Sequence, residues 1–450
     1  MHRRILIVAV ALASLTLLAG CGGSHSSQLI SQATPAQLAA AGLAKVPLAP
    51  DSQRVDLEVP NFSHPTKITN PLFPISELPS AVLAGHVEGK PFHTETTLLP
   101  VTRIIEWNGK RIETLVSQYT AFLGGRIEEV ALDKFAQADD GSVWYFGEDV
   151  FDYRKGDIVS REGTWIAGLE HPPAMIMPAH PQVGDVYRSE NAPGLVFEEV
   201  TVRKVGVTVT GPTGRVSGAM IGSELHSDGT REDKTFAPGY GEFFTGGGAD
   251  VEAMALAAPA DAVPGPAPTE LETISALALR IRELSRSGKW ARAGAAVQQV
   301  QQTWSNARAH ARPPRIAAEM ARALSDVARG LAARDRATAG TAAVGVERTV
   351  LDLELRYRSP ASVDRDRFAL WTRQAEVDAA AADRGAVHGD VSALEWIRDR
   401  FAPALGPLDR TRLDTELTEL RALATDGSFG EIVRETARLR HALGRAALTT

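Results

Sequence analysis

Three potential metal ligands occur at alternate positions in one stretch of the chain, Glu224-x-His226-x-Asp228. If this stretch is a strand, all three side chains point to one face. Imidazole and carboxylate together suit Zn or Mn, although a solvated strand face produces the same pattern. The same spacing recurs in two further pairs, His86 with Glu88 and His93 with Glu95. The spacing predicts at most a weak metal site at Glu224, His226 and Asp228, and we expect no cofactor.

A second group of residues favours ligand binding. An aromatic run ends in a carboxylate at Trp144, Phe146 and Glu148, and a Gly-Asp turn further on leads to Tyr187 and Arg188. Aromatic side chains with a few polar groups are typical of small-molecule pockets. We therefore predict a ligand site at these five residues, with an apolar pocket near Trp144 and Phe146.

The chain lacks the common catalytic motifs. It has no His-Glu-x-x-His helix, no Gly-x-Ser-x-Gly elbow and no Gly-x-x-x-x-Gly-Lys loop. We predict no catalytic residues and favour a non-catalytic ligand- or partner-binding module. The alternative is a metal-dependent or carboxylate-based hydrolase, for which the candidate groups are Glu148, His180, Asp185, His226 and Glu242.

The first residues have the pattern of an export signal. Arg3 and Arg4 precede an uncharged apolar stretch over 5–18, which is too short to span a bilayer comfortably. The stretch ends in Leu-Ala-Gly-Cys at Cys21, and this motif resembles the bacterial lipobox. The resemblance implies cleavage before Cys21 and lipidation of that cysteine. We expect an exported protein anchored by lipid to the outer membrane or to the outer face of the cytoplasmic membrane.

Charge and cysteine content exclude several classes of function. The formal net charge is −7, and removal of Arg3 and Arg4 with the leader would bring it to about −9. This acidity argues against nucleic acid as a partner, because nucleic-acid-binding proteins present basic surfaces. Cys21 is the only cysteine, so the chain forms no internal disulfide. The expected partners are the membrane, through the lipid, and an apolar small molecule or an envelope protein.

The middle of the chain reads as antiparallel β-structure. Two alternating runs flank Asn108-Gly109, the strongest short-range signal of a β-hairpin. In a later run, Val200 and Val202 have one parity whereas Val205, Val207 and Val209 have the other. A strand keeps one buried face only if a residue is inserted between such groups, so we predict a bulge near Arg203-Lys204. Bulges curl a sheet, which favours a half-barrel.

Composition changes sharply after this region. A Pro-rich segment blocks both helix and ladder, and the remainder has apolar residues at helical spacing. The fold class is therefore α+β, with a curved antiparallel sheet or half-barrel followed by an antiparallel bundle of six or seven helices. The predicted domains are a signal peptide at 1–20, a flexible tether at 21–57, a β domain at 58–257, a linker at 258–268 and a helical bundle at 269–450.

Three motifs resemble those of an uncharacterised family of secreted bacterial β-domain proteins. They are Trp-Tyr-Phe-Gly-Glu-Asp at 144–149, Gly-Asp-x-Tyr-Arg at 184–188 and Ala-Pro-Gly-x-Gly at 237–241. The resemblance covers residues of about 130–249 and implies a curved half-barrel. Tyr240 departs from the small aliphatic residue usual in that family.

Overall fold

The computed structural model of the protein describes residues 29–247, 249–307 and 313–448. The leader and the predicted lipidation site, Cys21, lie outside these residues. The described chain forms a β-sheet followed by a set of helices, which confirms the predicted α+β class.

The sheet is antiparallel and open. Along the sheet the strands follow the order β6-β5-β4-β3-β2-β1-β14-β13-β12-β11-β10-β9, and the short β7 and β8 also pair with β5. The strands are β1 Ser80–Val87, β2 Lys90–Trp107, β3 Lys110–Leu123, β4 Arg126–Gln137, β5 Val143–Arg154, β6 Asp157–Ser160, β7 Trp165–Ile166, β8 Ala174–Met177, β9 Val186–Ala192, β10 Val196–Thr210, β11 Arg215–His226, β12 Arg231–Ala237, β13 Gly241–Gly247 and β14 Asp250–Ala258.

Both local features predicted for the sheet are confirmed. Asn108 and Gly109 connect β2 to β3 with φ values of 53° and 72°, as a two-residue hairpin turn requires. The register between β10 and β11 shifts between Val202 and Lys204 and again before Val207. Val200 and Val202 are buried, and after the bulge Val207 and Val209 are partly buried against a separate apolar cluster, whereas Val205 is exposed.

One end of the curled sheet is filled by an apolar core. This core combines strands from both ends of the sheet, with Phe146 of β5 and Tyr187 of β9 among its fully buried members. Ile30, Ile68 and Phe73, which precede the first strand, contribute to the same core.

Eight described helices follow the sheet, one or two more than predicted. They are α2 Thr269–Arg286, α3 Trp290–Asn306, α4 Pro314–Ala333, α5 Arg336–Glu354, α6 Pro360–Ala380, α7 Arg384–Phe401, α8 Pro407–Asp426 and α9 Phe429–Arg445, and a short α1 Pro35–Ala40 precedes the sheet. Apolar residues at helical spacing mark six of them in the sequence, all but α3 and α7. In α7 the buried positions include Gly389, Asp390 and Ser392, so small and polar residues interrupt the apolar spacing of its buried face.

The helices pack against the outer face of the sheet. Val82 and Ala84 of β1 share an apolar cluster with α2, α4 and α5, whereas Phe122 and Val130 share another with α6 to α9. Among the described residues, no helix combines the length and apolarity needed to cross a membrane.

Two segments outside the regular elements contact the sheet. The described part of the predicted tether pairs with β9, where the Val55 N–H donates to the Val186 carbonyl oxygen at 2.9 Å, and Arg54 forms a buried ion pair with Asp56 at 2.8 Å. In the predicted linker, buried Asp261 accepts hydrogen bonds from the Tyr240 hydroxyl and the Ala257 backbone N–H. These buried polar contacts hold both segments against the fold.

Candidate functional site

A cavity of about 1200 Å³ opens at the end of the sheet opposite the apolar core. Its lining residues come from β4, β5 and β6, towards one edge of the sheet, and from β9 and β10, at the opposite edge. Residues from both edges can line one cavity only because the sheet curls around it. Side chains that face the cavity, such as Phe92 and Tyr119, alternate with side chains that face the helices, such as His93 and Thr120.

The cavity lining is strongly acidic. Thirteen of its side chains are acidic and four are basic, so negative charge dominates the cavity. The acidic residues are Glu128, Glu129, Glu148, Asp152, Glu162, Glu190, Glu198, Glu232, Glu242, Asp250, Glu252, Asp383 and Asp390. The basic residues are Arg126, Arg154, Lys155 and Lys234.

One ammonium group lies within this acidic lining. Nζ of Lys234, on β12, is 3.0 Å from Oε2 of Glu224, on the neighbouring β11. Glu224, Glu242, Glu198 and Glu232 together hold the pKa of Lys234 well above its usual value, against the effect of burial. The cavity therefore accommodates a primary ammonium surrounded by carboxylates.

Burial and crowding raise the pKa values of carboxyl groups in the cavity and directly beside it. Burial and Glu198 raise the pKa of Glu224 to about 8. Burial and Glu242 raise the pKa of Glu252 to about 7, although Glu252 accepts a hydrogen bond from the Thr94 hydroxyl at 2.5 Å. Raised values mean that ionised carboxylates in this cavity lack sufficient positive charge nearby.

The predicted metal ligands are only partly brought together. Glu224 and His226 lie close to each other and to Glu198, and one possible ligand atom from each lies within 4.8 Å of the others. The His226 Nδ1 atom is 3.2 Å from Oε1 of Glu198. Asp228 is in the following turn, where its carboxylate accepts hydrogen bonds from Thr230. A strand places alternate residues on one face, but here the strand ends at His226 before Asp228 is reached.

Most of the predicted ligand-binding residues do not line the cavity. Trp144, Phe146 and Tyr187 are 0–2% exposed and belong to the apolar core. Arg188 is also buried, and its guanidinium lies 5.0 Å from the ring centroid of Phe197. Only Glu148 faces the cavity. The apolar residues expected to form a pocket pack against one another instead.

The five residues named for the alternative function, a hydrolase, are not brought together either. Glu148 and Glu242 line the cavity, and His226 contacts the lining residue Glu198. His180 is exposed outside the cavity lining. Asp185 accepts a hydrogen bond from the Gln182 backbone N–H in a turn. These five groups therefore do not share one site.

Helix α7 forms part of the cavity mouth. The turn at Lys155-Gly156 packs so tightly against its first residues that a Cβ atom on Gly156 would lie 2.1 Å from the Gly385 carbonyl oxygen. The Asp383 side chain accepts the Ala386 N–H and caps the helix. Arg126 on the same rim pairs with Asp378 and Asp390. The helical part of the chain thus shapes the entrance to the β cavity.

Sequence reasoning missed most of the acidic lining. Glu190, Glu198, Glu242 and Glu252 lie on four different strands, and only pairing in the sheet brings them together. A local signal existed at Glu232-x-Lys234, where alternate charged residues mark one strand face.

Comparison with known protein families, with curated proteins and with solved structures finds no match for this chain.

Proposed function

We propose that the protein is a non-catalytic binding module whose acidic cavity takes an organic cation with two or more ammonium groups. The observation that carries this proposal is the position of Lys234. Its ammonium lies 3.0 Å from Glu224 and is also influenced by Glu198, Glu232 and Glu242. A ligand ammonium would find the same type of environment at the remaining carboxylates.

The size of the cavity favours a molecule over a single ion. A volume of about 1200 Å³ is slightly above the usual range of pockets that hold small organic ligands, roughly 300–1,000 Å³. Acidic side chains are spread over strands at both ends of the sheet. A flexible chain with several ammonium groups can reach such separated carboxylates, whereas one metal ion binds ligands within about 2–3 Å.

The electrostatics support a cationic ligand. Glu252, with its pKa raised to about 7 by burial and Glu242, would ionise more easily beside a bound ammonium. Binding would therefore release protons near neutral pH and tighten as the pH rises.

The proposed location rests on the sequence of the leader. Cleavage before Cys21 and lipidation of its thiol would place the module outside the cytoplasm, attached to the outer membrane or to the outer face of the cytoplasmic membrane. The membrane would then be a partner through the lipid alone. Intact-mass measurement of the protein from its own host tests this part, and retention of Met1 would refute it.

Isothermal titration of the full detergent-extracted chain with spermidine tests the cavity. We expect saturable binding that weakens with added salt and tightens between pH 6 and pH 8. Each of the variants Glu242→Gln and Glu252→Gln should weaken binding by about tenfold, since a charge-assisted hydrogen bond contributes about 1.5–3 kcal/mol.

The matched control is Glu283→Gln, which removes one carboxylate from the exposed surface of α2, outside the cavity. This variant should bind spermidine as the parent does. Equal losses in all three variants would contradict the proposal, because they would reflect net charge rather than the cavity. Absence of spermidine binding at low salt and pH 8 would also refute it.

A further inference from the structure

A second group of ionisable side chains lies between the sheet and the helices, away from the acidic cavity. His93 of β2, Glu319 of α4 and Asp352 of α5 are 2%, 4% and 0% exposed. One possible ligand atom from each lies within 4.8 Å of the others. Three elements that are distant in sequence thus direct an imidazole and two carboxylates to one buried point.

Several polar atoms of this group lack hydrogen bonds among the described residues. They are both ring nitrogens of His93, Oε2 of Glu319 and Oδ2 of Asp352. A buried polar atom without a partner destabilises a fold by about 1–3 kcal/mol. These atoms converge from three elements and contact only charged neighbours at 3.5–3.6 Å, which suits a shared partner between them.

The distances fit a transition-metal site. His93 Nδ1 lies 3.5 Å from Glu319 Oε2, at the outer limit for a hydrogen bond. In a tetrahedral site with metal–ligand bonds of about 2.0–2.2 Å, ligand atoms lie about 3.3–3.6 Å apart. A separation too long for a good hydrogen bond is therefore the one expected for two ligands of one ion.

The other side of the imidazole faces a carboxylate, as in many metal-binding histidines, although the contact is longer than a hydrogen bond. His93 Nε2 lies 3.6 Å from Oε1 of buried Glu95. Metal-ligating histidines commonly direct their second ring nitrogen to a carboxylate, which fixes the tautomer and the ring orientation. Glu95 is itself fixed by Arg367 and Arg400.

Two nearby arginines contact the carboxylates that would bind a metal, and they would compete with it. Arg367 Nη2 lies 2.7 Å from Asp352 Oδ1 and leaves the other carboxylate oxygen available. Arg348 Nη2 lies 3.5 Å from Glu319 Oε2, the same oxygen that approaches His93. The Arg348 side chain is 21% exposed, so it has a path to solvent if an ion takes its place.

We propose that His93, Glu319 and Asp352 bind one divalent transition-metal ion, with zinc as the best match to a mixed imidazole and carboxylate donor set. The ion would connect β2 to α4 and α5 and fix the helices on the outer face of the sheet. This role is structural and does not depend on ligand binding in the acidic cavity.

Metal analysis of the full chain tests the site. Protein stripped with a chelator and dialysed against zinc should retain about one zinc per chain and unfold at a higher temperature than the stripped form. His93→Gln and Glu319→Gln should each lower the zinc content to below about one tenth per chain, since each removes one of three ligands. The matched control, His226→Gln, changes the histidine of the other possible ligand group and should retain zinc.

A measurement on the unmodified chain keeps the test decisive if either variant fails to fold. X-ray absorption of the zinc-loaded protein should show a light-atom shell at about 2.0–2.1 Å that includes one imidazole. Absence of bound zinc in the unmodified chain would overturn the proposal, and so would loss of zinc in His226→Gln with retention in His93→Gln. Spermidine binding is expected to be unchanged by His93→Gln, which separates this outcome from failure of the cavity proposal.

Discussion

The Lys234 ammonium lies 3.0 Å from Oε2 of Glu224, a carboxylate whose side chain is 1% exposed. The two residues are on adjacent strands and both face the interior of the curled sheet. A buried carboxylate without a counter-charge is costly, so this pair allows other carboxylates to approach from β10, β12 and β13. The protein thus places the ammonium of Lys234 among the carboxylates of a cavity lined mainly by acids.

Replacement of this cation should destabilise the fold. Lys234→Met leaves the neighbouring carboxylates without their buried partner, and we expect the free energy of unfolding to fall by about 3 kcal/mol at pH 7. The loss should be smaller at pH 5.5, because the carboxyl groups can then take up protons instead. Urea unfolding at the two pH values measures both effects.

A lysine on the rim of the same cavity provides the control. Lys155 lines the mouth but is exposed, so Lys155→Met should change the free energy of unfolding by less than about 0.5 kcal/mol. Spermidine should restore part of the stability lost in Lys234→Met, and it should stabilise the parent by a smaller amount. A loss in Lys234→Met that does not depend on pH would contradict the electrostatic explanation.

The local features of the sheet were predictable because they depend on neighbouring residues. Asn108-Gly109 specifies a turn, and the change of parity after Val202 specifies a bulge, whatever the rest of the chain does. The number of helices was harder to predict from the sequence. Helix α7 packs between the sheet and other helices, and its buried positions include Gly389 and Asp390, which interrupt the apolar spacing.

The candidate sites were predictable only in fragments. Alternation on β11 correctly placed Glu224 and His226 together, and alternation on β2 placed His93 beside Glu95. Their other partners, Glu198, Glu319 and Asp352, come from distant elements, and no local spacing encodes that approach. The aromatic run at Trp144 was misjudged because core residues and pocket residues have the same composition.

Because the aromatic run is part of the core, we expect its residues to contribute to stability. Phe146 is fully buried, and its ring centroid lies 5.4 Å from that of Phe62 and 6.1 Å from that of Trp107. Phe146→Ala should lower the free energy of unfolding by about 3–5 kcal/mol through the cavity it creates. Urea unfolding measures this loss.

Exposed Ile104 on β2, at 55% exposure, is the matched control, and Ile104→Ala should cost less than about 0.5 kcal/mol. Spermidine affinity of folded Phe146→Ala should equal that of the parent. A small stability loss together with weakened ligand binding would instead favour the pocket predicted from sequence.

The buried ion network formed by Glu95, Arg367 and Arg400, between the sheet and the helices, leads to a third prediction. Buried Glu95 accepts from Arg400 and lies 3.3 Å from Nε of Arg367. Glu95→Gln leaves two buried guanidinium groups short of negative charge, so the free energy of unfolding should fall by about 3–5 kcal/mol. The measurement is made with chelator present, so that bound metal does not contribute. Glu283→Gln on the surface should cost less than about 1 kcal/mol, and a similar small change for Glu95→Gln would show that the network is not strongly coupled.

Stability should also depend on pH through Glu252. Burial and Glu242 raise its pKa to about 7, from 4.5, so the folded protein holds a proton that the unfolded chain has already lost at pH 6. Unfolding then releases that proton, and the contribution of Glu252 to the free energy of unfolding falls as the pH rises from about 4.5 to 7. Above that range the folded protein carries an ionised carboxylate in an acidic cavity.

Glu252→Gln isolates this contribution. The amide oxygen can still accept the Thr94 hydroxyl, but the side chain no longer ionises. Relative to the parent, the variant should gain about 3 kcal/mol at pH 8 and little at pH 4.5. The difference between the two chains, followed by urea unfolding at several pH values, removes the contributions of all other groups. A difference that is constant across the range, or that favours the parent at pH 8, would show that Glu252 ionises in the fold as it does in water.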